Sequence, residues 1–127
     1  MKTMMWLAAG LVAIGAAAAA QQTGFSRTIL QQTDLSIPGR EAVTAIAEFQ
    51  PGVSAPRHIH PGEEIGYVVE GTVEVEVAGK ATVVPAGKTF VIPAGTAHGA
   101  KNVGSGVAKI LATYIVEKGK PLATPAQ

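Results

Sequence analysis

The chain has 127 residues, a formal net charge of +1 and no cysteine. That length supports one well-cored domain but not two, and nothing in it can form a disulfide or carry a lipid on a thiol. Lys and Arg (10) nearly balance Asp and Glu (9) without any basic run, which argues against a nucleic-acid partner, since phosphate binding needs clustered positive charge.

The N-terminal residues read as a leader. Met1 and Lys2 make a short positive start, Thr3 to Gly15 is almost wholly apolar, and Ala16 to Ala20 supplies small residues before polar Gln21 and Gln22. This is the pattern of a signal peptide over residues 1–20, and it predicts a periplasmic or secreted protein. The competing reading is a retained membrane anchor. The apolar stretch is just long enough to span, but it is Ala-rich and ends at a cleavage site. The leader inflates the 47% hydrophobic content, which therefore does not indicate a membrane protein.

Residues 21–40 are polar and irregular, with a turn at Ser36-Ile37-Pro38-Gly39, and are expected to form an arm holding at most one short strand. From 41 to 117 the pattern is all-β. Short runs rich in β-branched residues recur at Ala42–Phe49, His58–His60, Ile65–Val69, Thr72–Val77, Ala81–Val84, Thr89–Ile92 and Val107–Val116, each bounded by Gly or Pro. Strands at this spacing predict a sandwich or barrel, and no run has the 3.6-residue period of a helix. Thr72 to Val77 alternates strictly, valines to the core and polar side chains to water, before a hairpin turn at Ala78-Gly79. Residues 118–127 contain Pro121 and Pro125 and are expected to be a flexible tail.

All three histidines lie in the barrel region. His58 and His60 flank Ile59, so on a strand both imidazoles point one way and Ile59 the other. Glu63-Glu64 follows a Pro61-Gly62 turn expected to fold the next strand back beside the first, within reach of the same point. His98 is expected in a Gly/Pro-framed loop. Three imidazoles and a carboxylate suit one first-row divalent ion: Fe, Mn, Ni, Cu or Zn. Taken alone, a His-x-His pair reads equally as a metal site or as ordinary surface histidines.

The framing residues separate these readings. Gly52, His58, His60, Glu64 and Gly71 are spaced by five, one, three and six residues. Gly87, Pro93, Gly95, His98 and Asn102 are spaced by five, one, two and three. In these two blocks the chain resembles the cupins, in both signature motifs of that superfamily and without gap or substitution. The resemblance implies a double-stranded β-helix, or jelly roll, with one metal in the barrel mouth held by His58, His60, Glu64 and His98. It also implies tight turns at Gly52, Gly71, Gly87 and Gly95, a structural Pro93, and an Asn102 that ties down a loop. Glu64, not Glu63, has the spacing to both His60 and Gly71, so Glu63 is expected in solvent.

If Glu64 faces inward, alternation sends Gly66 and Val68 into the barrel and Ile65, Tyr67 and Val69 to the opposite face. On the last strand, Ala108, Ile110, Ala112 and Tyr114 turn inward and Lys109 faces water. Arg57, Val68 and Tyr114 are the pocket candidates, each with a plainer role: a surface ion pair for Arg57 and the core for the others. Phe49 and Phe90 are ambiguous in the same way. The outward strip at Ile65, Tyr67 and Val69 points to a second sheet or a dimer contact, and the resemblance implies a homodimer. It further implies a mononuclear metalloenzyme acting on a small organic molecule. Dioxygenase-like chemistry on Fe or Mn comes first, with isomerase or lyase types behind it. The alternatives are a non-catalytic module binding a sugar acid or phenolic through its metal, and an ion that only staples a disulfide-free barrel.

Overall fold

The computed structural model describes residues 22–127, and the expected leader, 1–20, lies outside the described residues. Ten strands follow in order: β1 (Phe25–Asp34), β2 (Arg40–Phe49), β3 (Ser54–Ile59), β4 (Gly62–Glu70), β5 (Thr72–Val77), β6 (Lys80–Pro85), β7 (Thr89–Ile92), β8 (His98–Asn102), β9 (Ala108–Glu117) and β10 (Thr124–Pro125). They form two five-stranded antiparallel sheets, ordered β1-β2-β9-β4-β7 and β10-β3-β8-β5-β6. Apart from the β1-β2 and β5-β6 hairpins, every connection from one strand to the next crosses between the sheets, which gives the double-stranded β-helix.

The core lies between the sheets and is built by alternation. On β9, Ala108, Ile110, Ala112, Tyr114 and Val116 are buried while the residues between them are half-exposed. On β2, Val43, Ala45, Ala47 and Phe49 do the same. β5 contributes Val73 and Val75, as its strict alternation predicts. Along β4, Gly62, Glu64, Gly66 and Val68 face in, and Glu63, Ile65, Tyr67 and Val69 face out. Gly52, Gly71, Gly87 and Gly95 all adopt positive φ, so the motif glycines do occupy turns that other residues enter only with strain.

Three local expectations are corrected. The N-terminal arm is a full ten-residue strand, paired along its length with β2 from Phe25↔Phe49 to Asp34↔Glu41, with a bulge between Ile29 and Gln31. Its composition hides this because it is an edge strand, and only Phe25 and Arg27 are partly buried. The tail is pinned, not free. Thr124 and Pro125 pair with Ile59 and His58, and Ala126 N donates to Arg57 O at 3.0 Å. Proline is compatible with such an edge position because no ladder partner is needed on its nitrogen side. Finally, β4 does not fold back beside β3. The two lie in different sheets, so Pro61-Gly62 is a corner between sheets. A side chain at Gly62 would place its Cβ 1.9 Å from the Ile115 carbonyl oxygen, so only glycine lets β4 leave the corner against β9.

Asn102 is buried and does tie down a loop. Its Nδ2 donates to Phe49 O at 3.1 Å and to Gly106 O at 2.7 Å, while its Oδ1 accepts from Gly104 N at 2.9 Å. One side chain thus joins the end of β2 to the β8-β9 connection. Truncation would strand buried polar groups, so Asn102→Ala should cost roughly 2 kcal/mol or more, read as a lowered denaturant midpoint. An unchanged midpoint would mean that the loop is held by other contacts.

Candidate metal centre

The four motif residues converge from both sheets. His58 on β3 is the register partner of His98, the first residue of β8. His98 is therefore a strand residue and not the loop residue expected from its Gly/Pro frame. His60 follows the end of β3, and Glu64 reaches across from β4 in the opposite sheet. One ligand atom from each of His58, His60, Glu64 and His98 lies within 4.8 Å of the others, and the last three residues are buried. Glu63 is exposed on the other face of β4.

Hydrogen bonding decides which nitrogen of each ring faces the centre. A carbonyl oxygen only accepts, so a ring nitrogen bonded to one must carry the proton. His58 Nδ1 donates to Pro56 O at 2.6 Å, His60 Nδ1 to Leu122 O at 2.6 Å and His98 Nδ1 to Thr96 O at 2.8 Å. In the neutral rings all three Nε2 atoms then turn lone pairs into the cluster that also holds Glu64 Oε2. Such a cluster of acceptors repels itself unless a cation sits among them, and backbone bonds of this kind orient metal-ligating imidazoles.

The spacing also fits an ion. The contacts are His58 Nε2 to His60 Nε2 at 3.1 Å, His60 Nε2 to Glu64 Oε2 at 3.0 Å and His98 Nε2 to Glu64 Oε2 at 3.2 Å. Ligands about 2.1 Å from a metal and at right angles lie about 3.0 Å apart, so these edges match right-angled positions around one ion. A five- or six-coordinate ion held by these four residues would keep one or two positions open.

Electrostatics favours the ligating state. Burial lowers His58 from 6.5 to about 4, helped by His98, His60 and Arg27 and opposed by its bond to Pro56. Burial is the largest influence on Glu64 and would raise it, but in the metal-free site hydrogen bonding and charge from the His60 and His98 rings together outweigh it and hold the carboxyl at about 2. Tyr114 is pushed upward by burial and by the Glu64 charge, so its hydroxyl keeps its proton.

Two cavities adjoin the cluster. The inner one, about 20 Å³, is lined by His58, Glu64, His98, Phe90, Tyr114 and Arg27 among others. It is large enough for about one water. The mouth cavity, about 210 Å³, is lined by Phe25, Arg27, Pro56, Arg57, His58 and Pro125 among others. A larger hollow of about 390 Å³ lies near Gln22, Ser26, Glu48 and Gln50, contains no histidine, and is not part of this centre.

Of the pocket candidates, Tyr114 is a core residue that also reaches the inner cavity, its ring edge-on to His60 with centroids 4.6 Å apart. Arg57 stands on the mouth cavity, with its side chain 42% exposed and 3.8 Å from Glu76. Val68 is fully buried in the core and lines neither cavity, which corrects its place among the candidates. Phe49 is core but also touches the inner cavity, as does Phe90. Phe90 sits there because Gly66 leaves room, since a Cβ on Gly66 would fall 2.2 Å from the ring. Sequence reasoning missed Arg27 and the Leu122 carbonyl, because both lie in segments read as irregular.

The chain matches known proteins as follows. The Cupin domain family profile matches residues 45–114. No curated protein matches the chain. Among solved structures, KdgF from Halomonas sp. is 31% identical over 76% of this chain and 84% of that one, with a TM-score of 0.60. An oxalate oxidase in complex with the substrate analogue glycolate is 29% identical over 83% of this chain, with a TM-score of 0.65. This chain covers only 56% of that oxalate oxidase. A Klebsiella pneumoniae protein with a double-stranded β-helix domain has a TM-score of 0.70 over 86% of this chain and 90% of its own. At 20% identity it bears on the fold alone.

Metal-free protein should lose stability in acid, with the sign set by both lowered groups. Unfolded His58 takes a proton near pH 6.5, whereas the folded residue resists until about 4, so stability falls as the pH drops through that window. Glu64 acts in the same direction lower down: its contribution is complete above 4.5 and is lost as the pH falls through about 2. The thermal midpoint of chelator-treated protein should therefore decline between pH 6.5 and 4, less steeply in His58→Gln. An equal slope in the variant would rule His58 out as the responsible group.

Proposed function

This chain belongs to the cupin family, and on that premise we propose that it is a mononuclear metalloenzyme acting on a small organic molecule at the barrel mouth, with dioxygenase-like chemistry. The observation that carries this reading is the convergence of three imidazoles and Glu64 Oε2 within 4.8 Å of one another, bordered by a cavity. His58, His60, Glu64 and His98 would hold one divalent ion, Fe or Mn ahead of Ni, Cu or Zn. Such an ion supplies open coordination positions with redox or Lewis-acid character. The protein holds the four ligand atoms in place through the Pro56, Leu122 and Thr96 carbonyls. Phe90 and Tyr114 keep the inner side apolar and narrow. The likeness to an oxalate oxidase seen in complex with the substrate analogue glycolate supports a small oxygenated substrate.

A second reading, a non-catalytic module that binds a sugar acid or phenolic through its metal, draws on one feature. Beyond the ligands, the inner cavity's lining contains no carboxylate, and its Tyr114 is held protonated, so no general base stands beside the ion. We also place the protein in the periplasm or outside the cell, on the strength of the leader sequence at Met1–Ala20. Exposed Ile65, Tyr67, Val69 and Val91, side by side on the outer face of β4 and β7, support a homodimer.

The test is oxygen uptake by metal-loaded protein offered oxalate, glycolate and simple phenolics. Uptake should depend on the metal and fall more than about 100-fold in His60→Ala and His98→Ala, beyond the loss typical of residues that only support a ligand. Glu63→Ala should behave as wild type. Tight binding of one compound without turnover would replace the enzyme reading with the binding module.

A further inference from the structure

The mouth cavity has a charge that the metal reading leaves unused. Arg27 reaches it from β1, on the face where its register partner Ala47 is buried. Its guanidinium carbon lies 5.7 Å from the centre of the Phe25 ring and 5.8 Å from that of Tyr114. The Tyr114 ring in turn packs on His60. Among the described residues no carboxylate pairs with Arg27. Its Nε is buried without a hydrogen-bond partner. The guanidinium also acts on the Tyr114 hydroxyl, but a buried Nε proton left without an acceptor is costly.

The surroundings say what that acceptor is. Arg27 and His58 both line the inner and the mouth cavities, so one occupant of the mouth meets both. The mouth lining includes two arginines and no carboxylate, since Glu76, the partner of Arg57, lies outside it. Glu64 is the only acidic residue on the inner lining. A divalent ion more than cancels its charge, and Arg27 adds another positive charge. The joined space therefore selects an anion. At about 210 Å³ the mouth is smaller than a drug-sized pocket, so the anion is small. A planar carboxylate matches the fork of guanidinium donors better than any other common organic anion.

We propose that Arg27 is the specificity-determining residue of this site, binding the carboxylate of a small organic acid beside the metal. The proposal rests on the metal reading for its location, but it concerns a residue that ligates nothing. The guanidinium carbon lies over both the Phe25 and the Tyr114 rings, contacts that restrict the side chain before a ligand arrives.

The experiment is calorimetric titration of metal-loaded protein with glycolate and with its neutral isostere glycolamide, alongside measurement of bound metal. Wild type should bind glycolate and not glycolamide. Arg27→Met should keep its metal and weaken glycolate roughly 10- to 100-fold, the range of a charged hydrogen bond. Arg27→Lys should recover part of that loss, and Lys88→Met, which removes the same charge outside the cavity lining, should bind as wild type. Metal-replete Arg27→Met that binds glycolate normally would overturn the proposal, as would a metal-replete wild type that ignores glycolate or binds glycolamide equally. Failure of the metal reading itself would appear separately, as wild-type protein that takes up no metal.

Discussion

Three imidazoles and a carboxylate crowd one small volume, and the backbone sets how the three rings face it. The Pro56, Leu122 and Thr96 carbonyls each take an Nδ1 proton, which turns every Nε2 toward the shared centre, where those of His60 and His98 meet Glu64 Oε2. Much of the architecture serves this convergence. β3 and β8 bring His58 and His98 into register in one sheet, and β4 brings Glu64 from the other. The centre is therefore clamped between sheets, and a shift of either sheet would pull a ligand away. A bound ion is expected to stabilise the fold in return, because the ligands come together only in the folded chain.

Small residues make the clamp possible. Gly62 lets β4 pass over the Ile115 carbonyl, and Gly66 leaves room for the end of the Phe90 ring, which borders the inner cavity. Ala45, Ala47 and Ala112 are fully or almost fully buried alongside bulky Phe49 and Tyr114, the alternation of size that a narrow two-sheet interior needs. The C-terminal segment completes the arrangement. It pairs with β3 and offers the Leu122 carbonyl to His60, so it belongs to the site although it lies more than sixty residues away along the chain.

The cluster of His58, His60, Glu64 and His98 was legible in the sequence because it rests on spacing within strands and turns. His58 and His60 share a face by alternation, Glu64 stands apart from Glu63 by its distance to Gly71, and Asn102 behaves as its motif position implies. The inward sides of β4 and β9 followed from the same period of two. What escaped detection depends on tertiary placement. β1 carries no clear alternation because an edge strand buries only its first inward residues, so Arg27 looked like one polar residue among many. The tail looked mobile because its prolines disfavour an interior strand but not an edge. Val68 was correctly turned inward, yet depth along the barrel axis has no signature in alternation, and it packs into the core below the cavity.

The central claim is that His58, His60, Glu64 and His98 together hold one divalent ion. It is tested most directly by elemental analysis of the protein purified without added metal or chelator. About one equivalent of iron or manganese, absent from the His98→Ala variant, is the result predicted by this ligand set. Wild-type protein with no metal, or with the same metal content as the variant, would contradict it.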